Sequence, residues 1–408
     1  MTVLVFAGVA VLSLAIWLYL LLAHGRYWLA DQYLPAEPAA SGAADRGRDW
    51  PAVVVVVPAR DEADMLPLTL PTLLAQDYPG EFSVVLVDDA SSDGTSEVAE
   101  KLAAAHPGRT LQIVHSDGPP PGWAGKVAAM RRGLEAAETV ISTSASNPPE
   151  FVLFTDADIA HPADSVRRLA EFGETRALDL VSLMARLRTD TAAERAIVPA
   201  FVYSFAQLYP FARVNRPRSR TAAAAGGCML VRRSALIEAG GLEQISGARI
   251  DDVALGTLLK RRAGRGRTWL GLTTDVRSVR PYPRFSDLWD MIARSAYTQL
   301  RYSPLLLAGT LLGLLVMYAV PPILGLAFLG ISLAGGSAVA AVTAGAALAA
   351  WALLSLSYLP TLRLYRLRAR RAPLLPAVMM LYGAMTFDSA RRHHRGSGGR
   401  WKGRVEGS

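Results

Sequence analysis

The sequence predicts an α/β fold with a mostly parallel sheet, accompanied by membrane helices, and three observations predict it. Between residues 51 and 160, β-branched apolar runs alternate with helical segments, the pattern of a parallel sheet with crossover helices. Three of those runs end in acidic residues. Uncharged apolar stretches flank the polar part of the chain at both ends.

Residues 3–23, "VLVFAGVAVLSLAIWLYLLLA", are 21 positions without a charge, enough for one helical crossing. A basic n-region is missing, and the apolar run exceeds a signal peptide's usual core of about 7–15 residues, so residues 1–26 read as an uncleaved anchor. Residues 27–50 form a polar linker. "AVVVVVPARDE" then supplies a strand of the kind buried on both faces, expected to stop at Pro58. A helix is expected over 63–77, a strand over 82–87, and a helix capped by Asp93 or Thr95. "LQIVHS" is a third strand, residues 126–137 a helix, and "FVLFTDAD" a fourth strand. Ligands of such sheets bind beyond the carboxyl ends of the strands. Here those ends carry Arg60-Asp61-Glu62, Asp88-Asp89 and Asp156-x-Asp158, so three strands deliver acid to one rim.

Residues 302–362 lack any charge over 61 positions, fitting two crossings of about 20 residues with a turn at Gly335-Gly336-Ser337. The net charge of +8 is local: residues 363–408 hold 11 Lys and Arg against 2 Asp and Glu. The rest of the chain is close to neutral, which argues against a nucleic-acid partner. The basic segment instead marks the cytoplasmic flank of membrane spans, with anionic headgroups as its contact. With Arg26 after the first span and five arginines from 363 to 371 after the third, residues 24–302 are expected in the cytoplasm. The apolar stretch 373–387 contains Pro376 and is short for a span, so it reads as interfacial or re-entrant, with a fourth crossing as the alternative. Cys228 is the sole cysteine, which excludes an intrachain disulfide and fits a small core residue.

Why a buried strand should end in Asp156 and Asp158 is the central question. Neighbouring carboxylates repel unless a cation lies between them. Two hard oxygen ligands suit Mg²⁺ or Mn²⁺, which complete their shells with water and substrate phosphates. Helix capping by Asp158 ahead of His161-Pro162 is the structural alternative, and it leaves Asp156 unexplained. His161 itself reads as a solvated loop residue.

"PARDE", "VLVDDASSDGT", "PPGWAGKVAAM", "FTDAD" and "RIDD" follow one another in this order. Together they resemble the inverting family 2 glycosyltransferases of GT-A fold. The flanking spans and "RPYPRFSDLWDMIARSAYTQLRYSPLLL" are similar to the membrane-bound branch that includes ceramide glucosyltransferase, and most similar to the hopene-associated glycosyltransferases of bacteria. The resemblance implies a cytoplasmic GT-A domain over 51–283, an interfacial helix over 284–302 and two spans over 303–362. It implies a UDP-sugar donor, a lipid acceptor and a place in the bacterial inner membrane. It further implies that Pro58, Arg60, Glu62, Asp88 and Asp89 frame the nucleotide and that Asp158 is the principal metal ligand. Asp156 then meets ribose or the metal through water.

The family's base falls in Asp251-Asp252, with Asp252 preferred, taking the proton from the acceptor hydroxyl as the sugar is attacked opposite the leaving nucleotide. Capping of the helix "VALGTLLKRR" is the alternative for that pair. Lys126, after Gly122, Trp123 and Gly125, is placed to neutralise phosphate, against the plain reading of a solvated lysine. The family's Q-x-x-R-W window is "TQLRY" here, keeping Arg301 for the leaving pyrophosphate and replacing the tryptophan by Tyr302, which can stack on an acceptor. Asp61 stands where many relatives carry asparagine. Gly226 and Gly227 read either as a close approach of sugar to backbone or as a turn. "AIVPAFVYSFAQLYPFA" is an interfacial helix or a core helix. A processive polysaccharide synthase and a non-catalytic scaffold with a GT-A domain are the rival readings.

Overall fold

The computed structural model describes residues 2–35, 49–144, 149–261, 267–396, 400–401 and 404–405. The chain divides into two compact units. A sheet unit comprises Asp31–Arg188, Arg213–Pro281 and Arg400–Ser408, and a helical unit comprises Met1–Ala30, Thr189–Ala212 and Tyr282–Gly399.

In the sheet unit the strands are β1 Val53–Ala59, β2 Phe82–Asp89, β3 Thr110–Ser116, β4 Phe151–Thr155, β5 Ile159–Ala160, β6 Leu180–Arg186, β7 Cys228–Arg232 and β8 Thr268–Ser278. Their order across the sheet is β3-β2-β1-β4-β7-β6-β8-β5. Strands β3, β2, β1 and β4 run parallel, and β7 runs antiparallel between β4 and β6. The valine run of β1 shows why. Val53, Val55 and Val57 enter one core and Val54 and Val56 the other, so both faces of the strand are dry. Each fully buried valine contributes on the order of 1.5–3 kcal/mol relative to exposure. Strands flanked on both sides by helices need this uninterrupted apolar run.

The helix Gly125–Ser144 covers one face at very close range. A Cβ placed on Gly133 would lie 2.4 Å from Val56 Cγ1, which accounts for a glycine inside a helix. Pro58 does not end β1. It continues the ladder opposite Val87, beyond the last β1–β4 pair at Val56–Phe154, where the strand is paired on one side and a missing N–H is tolerated. The expected helix over 63–77 is shorter, Leu66–Leu74.

In the helical unit three helices are long and apolar enough to cross a membrane: Val3–Leu22, Pro304–Leu333 and Ala338–Leu364. The second contains a π turn at Leu315–Ala319. The turn at Gly335 takes a φ of +88°, and Ser337 caps the next helix through Ala340 N–H. Segment 284–302 is not one helix but two, Phe285–Ala293 and Ala296–Gln299. Pro376 does not interrupt the apolar stretch 373–387. It occupies the first turn of a 20-residue helix, Leu375–His394, where its missing donor has no partner to lose. Of the two readings of residues 196–212, the buried one holds within this unit. Helix Ala192–Leu208 starts at a Thr191/Glu194 capping box and buries Ile197, Val198, Val202 and Tyr203.

Candidate active site

The parallel register sets the carboxyl ends of β1, β2 and β4 on one rim. The loops after β1 and β2 are stitched together there. Asp61 N–H donates to Ser91 Oγ (3.0 Å), Glu62 N–H to Thr95 Oγ1 (2.9 Å), and Ser92 N–H to Asp61 Oδ1 (2.8 Å). Asp61 and Ala90 both have left-handed backbones, φ 50° and 51°. Aspartate and asparagine tolerate that region better than most residues, which explains how Asp61 replaces asparagine here. Arg60 donates to the carbonyls of Asp89 (2.5 Å) and Ala90 (3.0 Å). Asp88 and Asp89 are buried, Asp88 accepting from Ser91 N–H and the Ser96 hydroxyl, Asp89 from Ser116 Oγ. Asp93 accepts from Thr95 N–H and Oγ1 at the start of the next helix.

Two cations of the chain divide the acidic cluster beyond β4. Lys126 Nζ lies 2.7 Å from Asp156 Oδ1 and 3.0 Å from Asp251 Oδ2. Arg280 donates from Nε to Asp158 Oδ2 at 2.7 Å and from Nη2 to both oxygens of Glu62, at 2.6 and 2.7 Å. Ser278 Oγ also donates to Asp158, at 3.2 Å. Asp158 is therefore not a helix cap; the next helix starts at Ser165 after Asp164. Lys126 is likewise no solvated lysine. Burial disfavours its ammonium, but Asp156 and Asp251 outweigh that and hold its pKa above the ordinary lysine range. Burial raises Asp156, and the neighbouring Lys126 only partly offsets it. For Arg280, too, burial is outweighed by Asp158 and Glu62, which raise its pKa further.

Asp251 and Asp252 open the helix Asp251–Arg261. Asp252 is locked by backbone donors, Gly226 N–H on Oδ2 (3.0 Å) and Val253 N–H on Oδ1 (2.7 Å). Burial, reinforced by Asp251, pushes its carboxyl up to about 7 against the pull of Lys126 and those donors. Both residues stand in the first turn of that helix, where negative charge suits the helix dipole. A Cβ on Gly226 would stand 3.0 Å from Lys126 Nζ, which would have to give by a few tenths of an ångström, and 3.5 Å from Asp252 Oδ2, an ordinary contact. Gly227 instead faces Ile159, and its carbonyl accepts from Thr155 Oγ1.

Lys126, Asp156 and Asp251 thus form one group with Gly226 and Asp252 beside it, and Glu62 and Asp158 form a second, joined by Arg280, with Asp88 and Asp89 at the end of β2 and Arg60 just after β1. Arg301 and Tyr302 belong to the helical unit. Both have left-handed backbones, φ 52° and 56°, and Tyr302 stacks on His393 with centroids 4.3 Å apart. His161 corrects the solvated reading. It is buried between Thr155 Oγ1 (2.9 Å) and Ser165 Oγ (3.2 Å), and burial lowers its pKa to about 4. Cys228 is buried, and burial pushes its thiol up to about 12. Arg280 and Ser278 were missed from the sequence; the run "VRPYPR" at the end of β8 was the only available signal.

Among the described residues no three His, Cys, Asp or Glu side chains gather into a protein-only metal cage. Asp156 and Asp158 nevertheless fit Mg²⁺ or Mn²⁺ in kind, because these ions take one or two carboxylates and leave the rest of the shell to phosphate and water. A guanidinium already held on Asp158 shows that a positive charge is stable at this point.

Residues 51–289 match the glycosyltransferase like family 2. Among curated relatives, an undecaprenyl-phosphate mannosyltransferase of Micrococcus luteus is 33% identical over 129 residues, covering 32% of this chain and 46% of the relative. An undecaprenyl-phosphate 4-deoxy-4-formamido-L-arabinose transferase of Aeromonas hydrophila is 28% identical over 145 residues, 35% of this chain and 40% of the relative. The chain thus matches less than half the length of either. Among solved structures, the mannosyltransferase PcManGT from Pyrobaculum calidifontis, in complex with GDP-Man and Mn²⁺, aligns over 94% of this chain and 99% of its own. Its TM-score is 0.55 and its identity 21%, a likeness of fold. The fold class expected from the sequence, a GT-A sheet domain with N-terminal and C-terminal apolar helices, is the one found.

Proposed function

This chain belongs to glycosyltransferase family 2 and is a glycosyltransferase, and we propose that it transfers a sugar from a UDP-sugar to a hydroxyl of a membrane lipid, with inversion. The observation that carries this reading is the contact chain Asp156–Lys126–Asp251, with Asp252 held beside Lys126 by Gly226. One fixed ammonium for a diphosphate and one carboxylate titrating near neutrality stand side by side. Asp252, once ionised, accepts the proton of the acceptor hydroxyl. The freed oxygen forms its bond to the anomeric carbon while the bond from that carbon to the β-phosphate oxygen breaks. The electron pair leaves with UDP, and Lys126 neutralises the departing charge. A single displacement inverts the anomeric centre. Backbone donors on both oxygens of Asp252 fix its orientation in advance.

Asp158, with Asp156, would hold Mg²⁺ or Mn²⁺, which supplies further neutralisation of the diphosphate when bound. Asp88, Asp89, Glu62 and Arg60 frame the nucleoside, with Pro58 one residue before the end of β1, and the motif resemblance assigns Arg301 to the pyrophosphate. Gly226, beside Lys126 and Asp252, leaves room for the sugar, and the motif resemblance assigns Tyr302 to the acceptor.

Three membrane-capable helices and the arginine-rich flank support a bacterial inner-membrane enzyme with its site in the cytoplasm. A polycyclic, hopanoid-type lipid is the acceptor class favoured by the motif resemblance. A lipid phosphate is the second reading, favoured by the names of the curated relatives. The two differ in chemistry: a phosphate oxygen is already anionic near neutrality and gains little from a base, whereas a hydroxyl requires one.

The test is UDP release by membranes carrying the full chain, with and without EDTA, wild type against Asp252→Asn, supplied with hydroxyl or phosphate lipids. The expected result is EDTA-sensitive release that depends on hydroxyl lipids and is lost in the variant. Release that survives both EDTA and the substitution overturns the reading.

A further inference from the structure

Arg280 pairs with two buried carboxylates of the site, and the donor chemistry outlined above leaves it without a task. It lies on the residue assigned to the metal. Its Nε is 2.7 Å from Asp158 Oδ2, and Nη2 bridges both oxygens of Glu62. Asp158 is 9% exposed and Glu62 7%, so neither relies on water for neutralisation. The Arg280 side chain itself is 27% exposed, which leaves one side open for movement. Its backbone is fixed. Ser278 pairs with Ile159, Val279 N–H donates to the Asp158 carbonyl at 2.8 Å, Arg188 donates to the Val279 carbonyl at 3.1 Å, and Pro281 follows. Any change of partner by Arg280 is therefore a side-chain rotation.

We propose that Arg280 is a resident counter-ion, which holds Asp158 and Glu62 in the nucleotide-free enzyme and must leave Asp158 before a divalent cation binds there. The inference rests on the donor reading given above. Its physical basis is charge balance. Two carboxylates with one guanidinium carry a net charge of −1, and a divalent ion added to that group would turn it to +1 and face an adjacent positive charge. The diphosphate supplies the missing negative charge and offers the guanidinium a bidentate partner in exchange. Cation and nucleotide consequently bind with strong positive coupling, and the metal alone binds weakly. Such coupling keeps the site from holding a bare metal ion without donor.

The experiment is Mn²⁺ binding to the full-length protein in detergent, read from the electron paramagnetic resonance signal of free Mn²⁺, with no nucleotide, with UDP and with GDP. Wild type is compared with Arg280→Gln and Arg280→Lys. Without nucleotide, Arg280→Gln binds Mn²⁺ at least about tenfold more tightly than wild type, and the tightening caused by nucleotide shrinks by the same factor. Arg280→Lys falls between them, about threefold tighter than wild type, because an ammonium does not span both carboxylates. If circular dichroism shows that Arg280→Gln is unfolded, the lysine variant carries the comparison alone. Wild type that binds Mn²⁺ with nucleotide, alongside folded variants that bind it no more tightly without nucleotide, overturns the counter-ion role and leaves the donor reading intact. Wild type that binds no Mn²⁺ with either nucleotide overturns both.

Discussion

The rim of the sheet unit and the tyrosine network of the helical unit bury their polar groups by opposite means. On the sheet rim the buried groups are charges held by charges: Lys126 between Asp156 and Asp251, Arg280 between Asp158 and Glu62. In the tyrosine network of the helical unit they are neutral. Tyr203 OH meets Tyr27 OH (3.0 Å) and Ser357 Oγ (2.6 Å), Gln207 donates to Tyr27 OH (3.2 Å), and Tyr318 OH donates to Gln207 Oε1 (2.8 Å). Charge pairs are costly to bury and lose much when one partner is removed, about 3–5 kcal/mol in well-buried cases. Neutral hydrogen bonds among apolar helices are worth less each, on average about 0.6 kcal/mol. The difference teaches what each unit is for. A rim whose carboxylates are held by cations of the chain can exchange those cations for a charged ligand, while a neutral network only locks helices together.

Removing one charge from the rim should have the largest effect. Asp252→Asn is expected to lower kcat for UDP release by about 10²–10⁴-fold, the range for losing a positioned base. It is also expected to raise Tm above pH 7. The folded-state pKa of Asp252 lies above its unfolded value, so its favourable contribution is complete only below the unfolded value and is lost as pH rises through about 7. Asparagine mimics the protonated form and escapes that loss. A Tm that falls instead would mean that the carboxylate serves the fold. In the wild type, kcat/KM should climb about tenfold per pH unit up to about 7 and level off above it, and the residual activity of the variant should lack that slope.

His161 provides a milder test within the same unit, a buried polar group kept neutral. Its folded pKa, about 4, lies below the unfolded value, so its contribution is complete above about pH 6.5 and disappears as pH falls to about 4. The full loss is on the order of 3 kcal/mol. Melting curves across that window should show a drop that His161→Gln largely removes. The smallest effect belongs to the helical unit. Tyr203→Phe deletes two hydroxyl contacts and should cost about 1 kcal/mol in a thermal or denaturant assay, with kcat unchanged. A tenfold loss of activity in that variant would erase the distinction between the units.

Much of the rim was legible in the sequence because its logic is local. β1, β2 and β4 are apolar runs that stop at charges, and a strand buried on both faces has few other ways to be written. Asp156, Asp158, Asp251 and Asp252 stood out as pairs. Arg280 did not, since its partners lie 122 and 218 residues away and meet it only through the antiparallel pairing of β5 with β8. Pro58 misled because a proline ends a strand only where its N–H is needed on the ladder. His161 misled for the reverse reason. A histidine before a proline looks exposed until Thr155 and Ser165, on separate elements, enclose it. In the helical unit, hydropathy marked the spans, but the tyrosine network and the stack of Tyr302 on His393 depend on which helices meet, which periodicity does not encode.

The rim's acidic residues serving one cation and one nucleotide diphosphate is the claim on which the rest depends. A structure of the full chain with Mn²⁺ and UDP, with the ion located by its anomalous scattering, tests it most directly. The ion is expected on Asp158 and against the diphosphate, with Lys126 near the phosphates, Arg280 released from Asp158, and the uridine over Asp88 and Asp89. An ion and nucleotide bound elsewhere, with the Arg280–Asp158 pair intact, would contradict it.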